Sequence, residues 1–367
     1  MPSHLFRPIQ LGSIELPNRI VVSPMCQYSA EDGSATYWHI QHLASLGFSG
    51  AGLVMVEATG VERRGRISHG CLGLYSDGNE AALSHVIAVA RRTAGPTRFG
   101  IQLAHAGRKA STRFPWASPA GPLTAGEDPW PVIAPSALPF DDGWPTPQAL
   151  DEAGLQTVLA AFVAAARRVA RIGFDVVELH GAHGYLMHEF LSPLANRRTD
   201  AYGGSLENRT RFPLQIARAL REALPESIAL GVRITGSDWV EGGWTVADAA
   251  AFASELRKLG AAYVCVSSGG AIPKAAIPTG PGYQVGLAAE VKAKSGIATC
   301  AVGMITGPDQ AEDIVASGKA DMVALARGFL DDPRWGWHAA DRLGAKVHCP
   351  PQYQRARPPV WTPARHA

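Results

Sequence analysis

Two histidines and a tyrosine share one short stretch, His180-Gly181-Ala182-His183-Gly184-Tyr185, directly after an apolar run. Imidazoles spaced this way on a turn can do one of two things. They can ligate a metal, since imidazole is a common ligand, or donate hydrogen bonds to an oxygen on which negative charge develops. A metal shell needs a third ligand, and only His105, helped by Glu57, stands at a comparable place in the chain. Tyr185 suits the second chemistry, because its phenol can hand over a proton nearby. Cys26, two residues before Tyr28, is a further candidate, although a buried cysteine is more often an inert small hydrophobe. Gly303 and Arg327 suggest an anion site, where the backbone approaches closely and a guanidinium pairs bidentately. The alternative there is a plain turn and a surface ion pair.

These residues fall at matching places in a repeating pattern. Apolar runs occur at 20–24, 52–58, 99–104, 175–180, 229–234, 263–267, 298–303 and 321–326. Most are rich in Val, Ile and Leu without alternation, as strands buried on both faces of a parallel sheet are. Helical patterns separate them at 36–48, 79–93, 151–172, 206–224, 245–259, 287–294, 308–317 and 333–343. Gly173, Gly260 and Gly318 stand where helices should close, and Thr306-Gly307-Pro308 where one should open. Eight strand–helix units without a composition break predict one α/β domain over 1–367, a single (β/α)8 TIM barrel. A doubly wound sheet is the alternative, but no GxGxxG follows any strand.

In such a barrel the site lies at the C-terminal ends of the strands. Those ends carry Ser23-Pro24-Met25-Cys26-Gln27-Tyr28, Glu57-Ala58, Gln102 to Lys109, the two histidines with Tyr185, Arg233, Ser267-Ser268, Gly303-Met304, and Ala326-Arg327. Residues 112–148, rich in Pro, Gly, Ala and Trp, form a loop insertion after the third strand. A connection this long is either functional cover or a surface excursion packed by its own tryptophans. The tail over 349–367 lacks a helical pattern and reads as an extended C-terminal arm.

Composition narrows the function classes. Hydrophobic residues make up 46% of 367 and charged residues 18%, enough for a large core. With a net charge of +2 and scattered Lys and Arg, neither nucleic acid nor an anionic membrane is an expected partner. The five cysteines are far apart and form no CxxC pair, which excludes zinc-knuckle and iron–sulfur ligand sets; no metal is expected. The polar start and the lack of a membrane-length apolar run lead us to expect a soluble, cytoplasmic protein.

Together these stretches resemble the old yellow enzyme family, in its bacterial, thermophilic-like branch with the xenobiotic reductases. The resemblance runs from Leu5-Phe6-x-Pro8 to Gln352-Tyr353. It rests on Ser-Pro-Met-Cys-Gln-Tyr (23–28), Val-Glu-Ala (56–58), Gln-Leu-Ala-His-Ala-Gly-Arg-Lys (102–109), His-Gly-Ala-His-Gly-Tyr (180–185), the long stretch from Phe190 to Arg209, and Pro-Gly-Tyr-Gln-Val (281–285). It implies noncovalent FMN on top of the barrel, NADPH or NADH as hydride donor, and ping-pong reduction of activated alkenes through flavin N5. Ser23, Pro24, Met25 and Cys26 would lie along the flavin ring. Ala58 and Gln102 would contact it, Arg233 would sit near N1 and the C2 carbonyl, and Gly303, Ala326 and Arg327 would hold the phosphate. His180 and His183 would bind an enone or nitro oxygen, with His180 also beside the cofactor. Tyr185 would protonate the α-carbon, Tyr28 would add a substrate hydrogen bond, and Cys26 would tune flavin potential and substrate binding.

The resemblance further implies a homodimer or dimer-built tetramer in which Arg355 enters the neighbouring site. Departures from the family pattern are Ala326, where a glycine often precedes the phosphate arginine, and the longer insertion. Two other readings compete: a flavin-binding barrel with another acceptor or a sensor role, and a metal-dependent barrel hydrolase or lyase.

Overall fold

The structure, a computed structural model, describes residues 3–361. All eight expected runs form strands: β1 (Ile20–Val22), β2 (Leu53–Gly60), β3 (Arg98–Ala104), β4 (Val176–Gly181), β5 (Ala229–Thr235), β6 (Tyr263–Ser267), β7 (Ala298–Ala301) and β8 (Met322–Leu325). They pair in parallel in chain order, and β8 returns to β1, so the sheet closes. The eight longest helices among the described residues are α1 (Tyr37–Gly47), α2 (Asp77–Arg91), α3 (Glu152–Ile172), α4 (Leu206–Ala223), α5 (Val246–Lys258), α6 (Val285–Ser295), α7 (Pro308–Ala316) and α8 (Trp335–Leu343). The chain is therefore a (β/α)8 barrel.

Helix α3 shows how local sequence sets an element. The Asp151 side chain caps its start by accepting from the Gly154 N–H, and Gly173 ends it in the left-handed region. Leu155, Val158, Phe162, Ala165, Ala166 and Val169 form the buried stripe that faces the barrel. By length and composition alone this helix could cross a membrane, contrary to the reading that no apolar run approaches that length. Its arginines and its packed stripe suit a barrel helix.

The short strands Ile9–Leu11 and Ile14–Leu16 form an antiparallel hairpin ahead of the barrel, which the apolar pattern did not reveal. Three-residue strands are too short for periodicity to register. Leu11, Ile14 and Leu16 join Val21, Leu53, Met55, Val176, Cys265 and Cys300 in the core cluster inside the barrel. The hairpin thus plugs the end opposite the site. Leu16→Ala should cost about 2–5 kcal/mol of stability, read from denaturant unfolding, because a fully buried leucine leaves a cavity.

The insertion turns out to be both things the sequence left open. Phe140 and Trp144 pack on each other, with ring centroids 4.9 Å apart. Phe114 and Trp116 stack at 5.3 Å, and Trp116 meets the Tyr28 ring edge-on at 5.6 Å. One part packs itself and another walls the site.

The C-terminal tail departs from the extended arm expected of it. Pro351–Ala356 forms a 3-10 helix, and Tyr353 packs against Phe48 and Trp337 at 5.5 and 5.8 Å. Aromatic contacts with the helices turn it back on the chain. Residues 362–367 of the expected arm lie outside the described residues.

Candidate active site

At the C-terminal ends of β6, β7, β8 and β1 lies a cavity of ≈ 410 Å³. Its lining includes Ser23, Arg233, Gly303, Ala326 and Arg327, residues from four separate parts of the chain. Gly303 has φ 110°, a backbone conformation open to glycine but strained for any side chain. Arg327 opens the short helix Arg327–Asp331, whose first turn leaves N–H groups without intrahelical partners. An arginine, a bare glycine backbone and free amides are a donor set that suits an anion such as a phosphate. The cavity also takes in Ser267, Tyr283 and Gln284, which had no assigned role. The Pro-Gly-Tyr-Gln-Val stretch was the available signal for the last two.

Arg233 is buried, and its Nε has no hydrogen-bond partner. An orphaned guanidinium donor at the top of a barrel asks for an acceptor the protein does not supply. Beneath it, Gln102 Nε2 donates to Glu178 Oε1 at 2.7 Å, and the Tyr263 hydroxyl donates to Glu178 Oε2 at 2.9 Å. Burial raises the Glu178 carboxyl, while the charge on Arg233 and these two donors partly offset it. The expected contact of Gln102 with a ligand therefore shares its amide with a buried carboxylate, a partner that sequence reasoning missed.

The loop after β1 is held from outside the barrel. Pairing of β2 with β3 shifts register between Val56 and Ala58, a bulge that takes Glu57 out of the ladder. Glu57 then faces α1, 3.2 Å from His39 Nε2, and its other oxygen accepts from the Gln27 N–H at 3.1 Å. Glu57 is thus a support for the loop carrying Cys26 and Tyr28, not a ligand at the site. His105 likewise turns away, to Glu62 at 3.4 Å. The four groups of the metal reading do not converge, and no group of three or more His, Cys, Asp or Glu among the described residues is placed to hold a metal ion.

Burial alone would raise the Glu62 carboxyl, but His105 and Arg64 outweigh it and bring it down to about 2. A depressed carboxyl stabilises the fold above its ordinary value of 4.5 and loses that contribution as pH falls toward about 2. Glu62→Gln should flatten this part of the acid-unfolding curve followed by circular dichroism.

The two histidines and Tyr185 do meet. The His180 ring lies 5.2 Å from that of His183 and 5.0 Å from that of Tyr185, edge to face in both cases. His180 Nδ1 accepts from the Ala182 N–H at 3.3 Å, so the ring proton belongs on Nε2, free to donate. His183 Nε2 is 2.7 Å from Ser267 Oγ; when the hydroxyl donates there, the ring carries its proton on Nδ1. Burial first, and then the charge on Arg233, holds both imidazoles well below their ordinary range, so they are neutral donors. Burial lifts the Tyr185 phenol well above its usual value, with Cys26 and Tyr28 adding to it. Tyr185 therefore keeps its proton.

Cys26 sits half-buried beside this group, its thiol pushed up by desolvation and then by Cys71 and Glu57. It is a thiol rather than a thiolate. Tyr28 adopts a left-handed backbone with φ 51°, as strained site residues often do. Arg355 is exposed on the 3-10 helix. That helix packs near the C-terminal end of α1 and the first turn of α8, away from the strand ends where the other site residues gather. Within one chain it does not join the site.

A cavity with donors for an anion, an orphaned cation above a plugged barrel and a trio of protonated donors suit a flavin-dependent oxidoreductase. The chain belongs to the NADH:flavin oxidoreductase / NADH oxidase family, whose model matches residues 4–345. It is 42% identical over 357 residues to an NADPH dehydrogenase of Geobacillus thermodenitrificans, covering 97% of this chain and 99% of that one. An NADPH dehydrogenase of Bacillus licheniformis is 41% identical over 358 residues, covering 96% and 98%. Among solved structures, morphinone reductase superposes with a TM-score of 0.76 at 30% identity, over 96% of this chain and 93% of that one. The protein is accordingly an enzyme that uses FMN and acts on NAD(P)H.

Proposed function

We propose that this enzyme is an ene-reductase, reducing the C=C bond of α,β-unsaturated carbonyl and nitro compounds at the expense of NAD(P)H. The observation that carries the reading is the convergence of His180, His183 and Tyr185, all protonated and neutral, beside the cavity that suits FMN. Gly303, Ala326 and Arg327 would hold the phosphate, and Arg233 and Gln102 the polar edge of the ring system. Ser23, Pro24, Met25, Cys26 and Ala58 would lie along it. When bound, FMN would supply the two-electron chemistry of a ping-pong hydride transfer from NAD(P)H to the β-carbon of the alkene.

The chain's own residues do the rest. His180 donates through Nε2 to the carbonyl or nitro oxygen, and His183 joins it once Ser267 has turned its hydroxyl toward Nε2. Both act as neutral donors that gain strength as the oxygen becomes negative. Tyr185 holds its proton until the α-carbon becomes basic and then releases it there. Trp116, Phe114 and Tyr28 give the mouth an aromatic wall suited to planar acceptors. Five unpaired cysteines suit a reducing, cytoplasmic setting.

The test is an anaerobic visible titration of purified protein with NADPH, then 2-cyclohexenone. Flavin absorbance should bleach with the first and return with the second. A protein that bleaches but does not recover with the enone would retain the cofactor chemistry and lose the ene-reductase reading.

The reading extends to assembly: a homodimer, or a tetramer built from dimers, in which Arg355 of one protomer reaches its partner's site. Its exposure and its distance from its own site support this. Arg355→Ala should weaken acceptor affinity severalfold, measured by steady-state kinetics alongside sedimentation. Unchanged affinity and unchanged mass would exclude it.

A further inference from the structure

His183 stands in a turn that no regular element supports. His183 and Gly184 both have left-handed backbones, with φ 61° and 72°. For the histidine that conformation is costly and needs surrounding structure to hold it. The peptide plane joining the two residues is gripped at both ends. Its carbonyl oxygen, from His183, accepts from Lys109 Nζ at 2.8 Å, and its N–H, from Gly184, donates to His188 Nδ1 at 2.8 Å. Loss of these contacts would free ψ of His183 and φ of Gly184, and with them the path of the turn that carries the imidazole. Gly184 offers no resistance of its own, because glycine is permissive on either side of φ = 0. The grip decides the orientation.

Of the two grips, His188 is the unusual one. It is fully buried on the short helix Leu186–Leu191 and takes no part in the chemistry described above. Since Nδ1 accepts, the neutral ring carries its proton on Nε2, which faces Asp238 Oδ1 at 3.2 Å, off the line of a good hydrogen bond. Asp238 is itself buried, and its other oxygen accepts from the Ser192 hydroxyl at 2.6 Å and the Trp244 N–H at 2.8 Å. A carboxylate facing one ring nitrogen selects the tautomer in which the other nitrogen is an acceptor. The direction of influence runs from Asp238 to His188, to the 183–184 peptide, and on to the His183 ring.

We propose that His188, oriented by Asp238, is a positioning residue for His183. It holds the imidazole where an acceptor's oxygen binds. The proposal rests on the reading that His183 binds that oxygen. Filling space is the competing role for a buried histidine, and isosteres separate the two. Asn places an acceptor where Nδ1 stands; Gln places its amide where Nε2 stands and leaves the Gly184 N–H without a partner.

The experiment uses FMN-loaded protein and phenol, an unreactive oxygen ligand, whose binding is followed by perturbation of the flavin spectrum. His183→Ala should weaken phenol binding on the order of tenfold or more. His188→Gln should weaken it to a similar degree with flavin content unchanged, while His188→Asn stays close to the parent. If the Gln variant does not retain flavin, Asp238→Asn replaces it, and should weaken phenol while keeping flavin bound. Phenol binding that is equal in the Asn and Gln variants, strong or weak, overturns the positioning role. Phenol binding that survives His183→Ala overturns the reading of the site itself. The two failures are therefore distinct.

Discussion

Tyr185→Phe should slow reoxidation of the reduced enzyme by 2-cyclohexenone on the order of 10²–10⁴-fold, the usual contribution of a positioned general acid. Reduction by NADPH, which needs no proton from this residue, should change only a few-fold. Stopped-flow absorbance of each half-reaction measures both. The asymmetry follows from the surroundings of the phenol. Its ring is fixed edge-on to His180 at 5.0 Å, and the Lys109 ammonium sits 5.0 Å from its centroid. Burial raises the phenol well above its ordinary value of 10.0, so no loss from Tyr185 ionisation should appear below that pH. Burial likewise brings Lys109 down to about 8, so a change in rate near that pH would report Lys109 instead. Equal slowing of both half-reactions would mean that Tyr185 shapes the site rather than supplying a proton.

Gly184→Ala should have the largest effect on stability of any single methyl added at the site. A Cβ at Gly184 would collide with the Gly270 carbonyl oxygen, which is backbone and cannot swing away. The approach is reciprocal, since a Cβ at Gly270 would lie 2.5 Å from the His183 oxygen. Two loops, after β4 and β6, therefore touch backbone to backbone, and both glycines have left-handed φ values of 72° and 91°. A loss of about 2–4 kcal/mol is expected from overpacking and backbone strain together. Gly204→Ala supplies the control: φ is 79° there, and nothing lies within 4 Å of the added carbon. It should cost only about 1 kcal/mol, from conformation alone. Thermal melting with flavin content measured in parallel separates the two, and equal losses would mean that close contact of the loops contributes nothing.

Much of this enzyme is legible in one dimension. The eight apolar runs stand out because strands buried on both faces lose alternation, and the end of α3 and the start of α7 stand out because Gly and Pro act on their nearest neighbours. Barrel geometry then places strand ends on one face, so polar residues there could be collected without knowing any distance. Gly303, Ala326 and Arg327 and the two histidines with Tyr185 came from that rule and from motifs; the first three line one cavity, and the rings of the others meet.

Other features depend on what the fold brings together. Glu57 stands at a strand end like the others, but a bulge turns it to His39 on α1, and no local signal marks the bulge. His188 is one histidine on a short apolar helix; only burial against Asp238 and the Gly184 amide sets it apart. The hairpin is too short to have a period, yet it closes the barrel floor. Local propensity and periodicity thus determined the elements, their order and the residue types offered at the strand ends. Closure of the sheet decided which loops touch, which donors remain unpaired and which histidine supports another, because those contacts join residues far apart in sequence through burial and hydrogen-bond satisfaction.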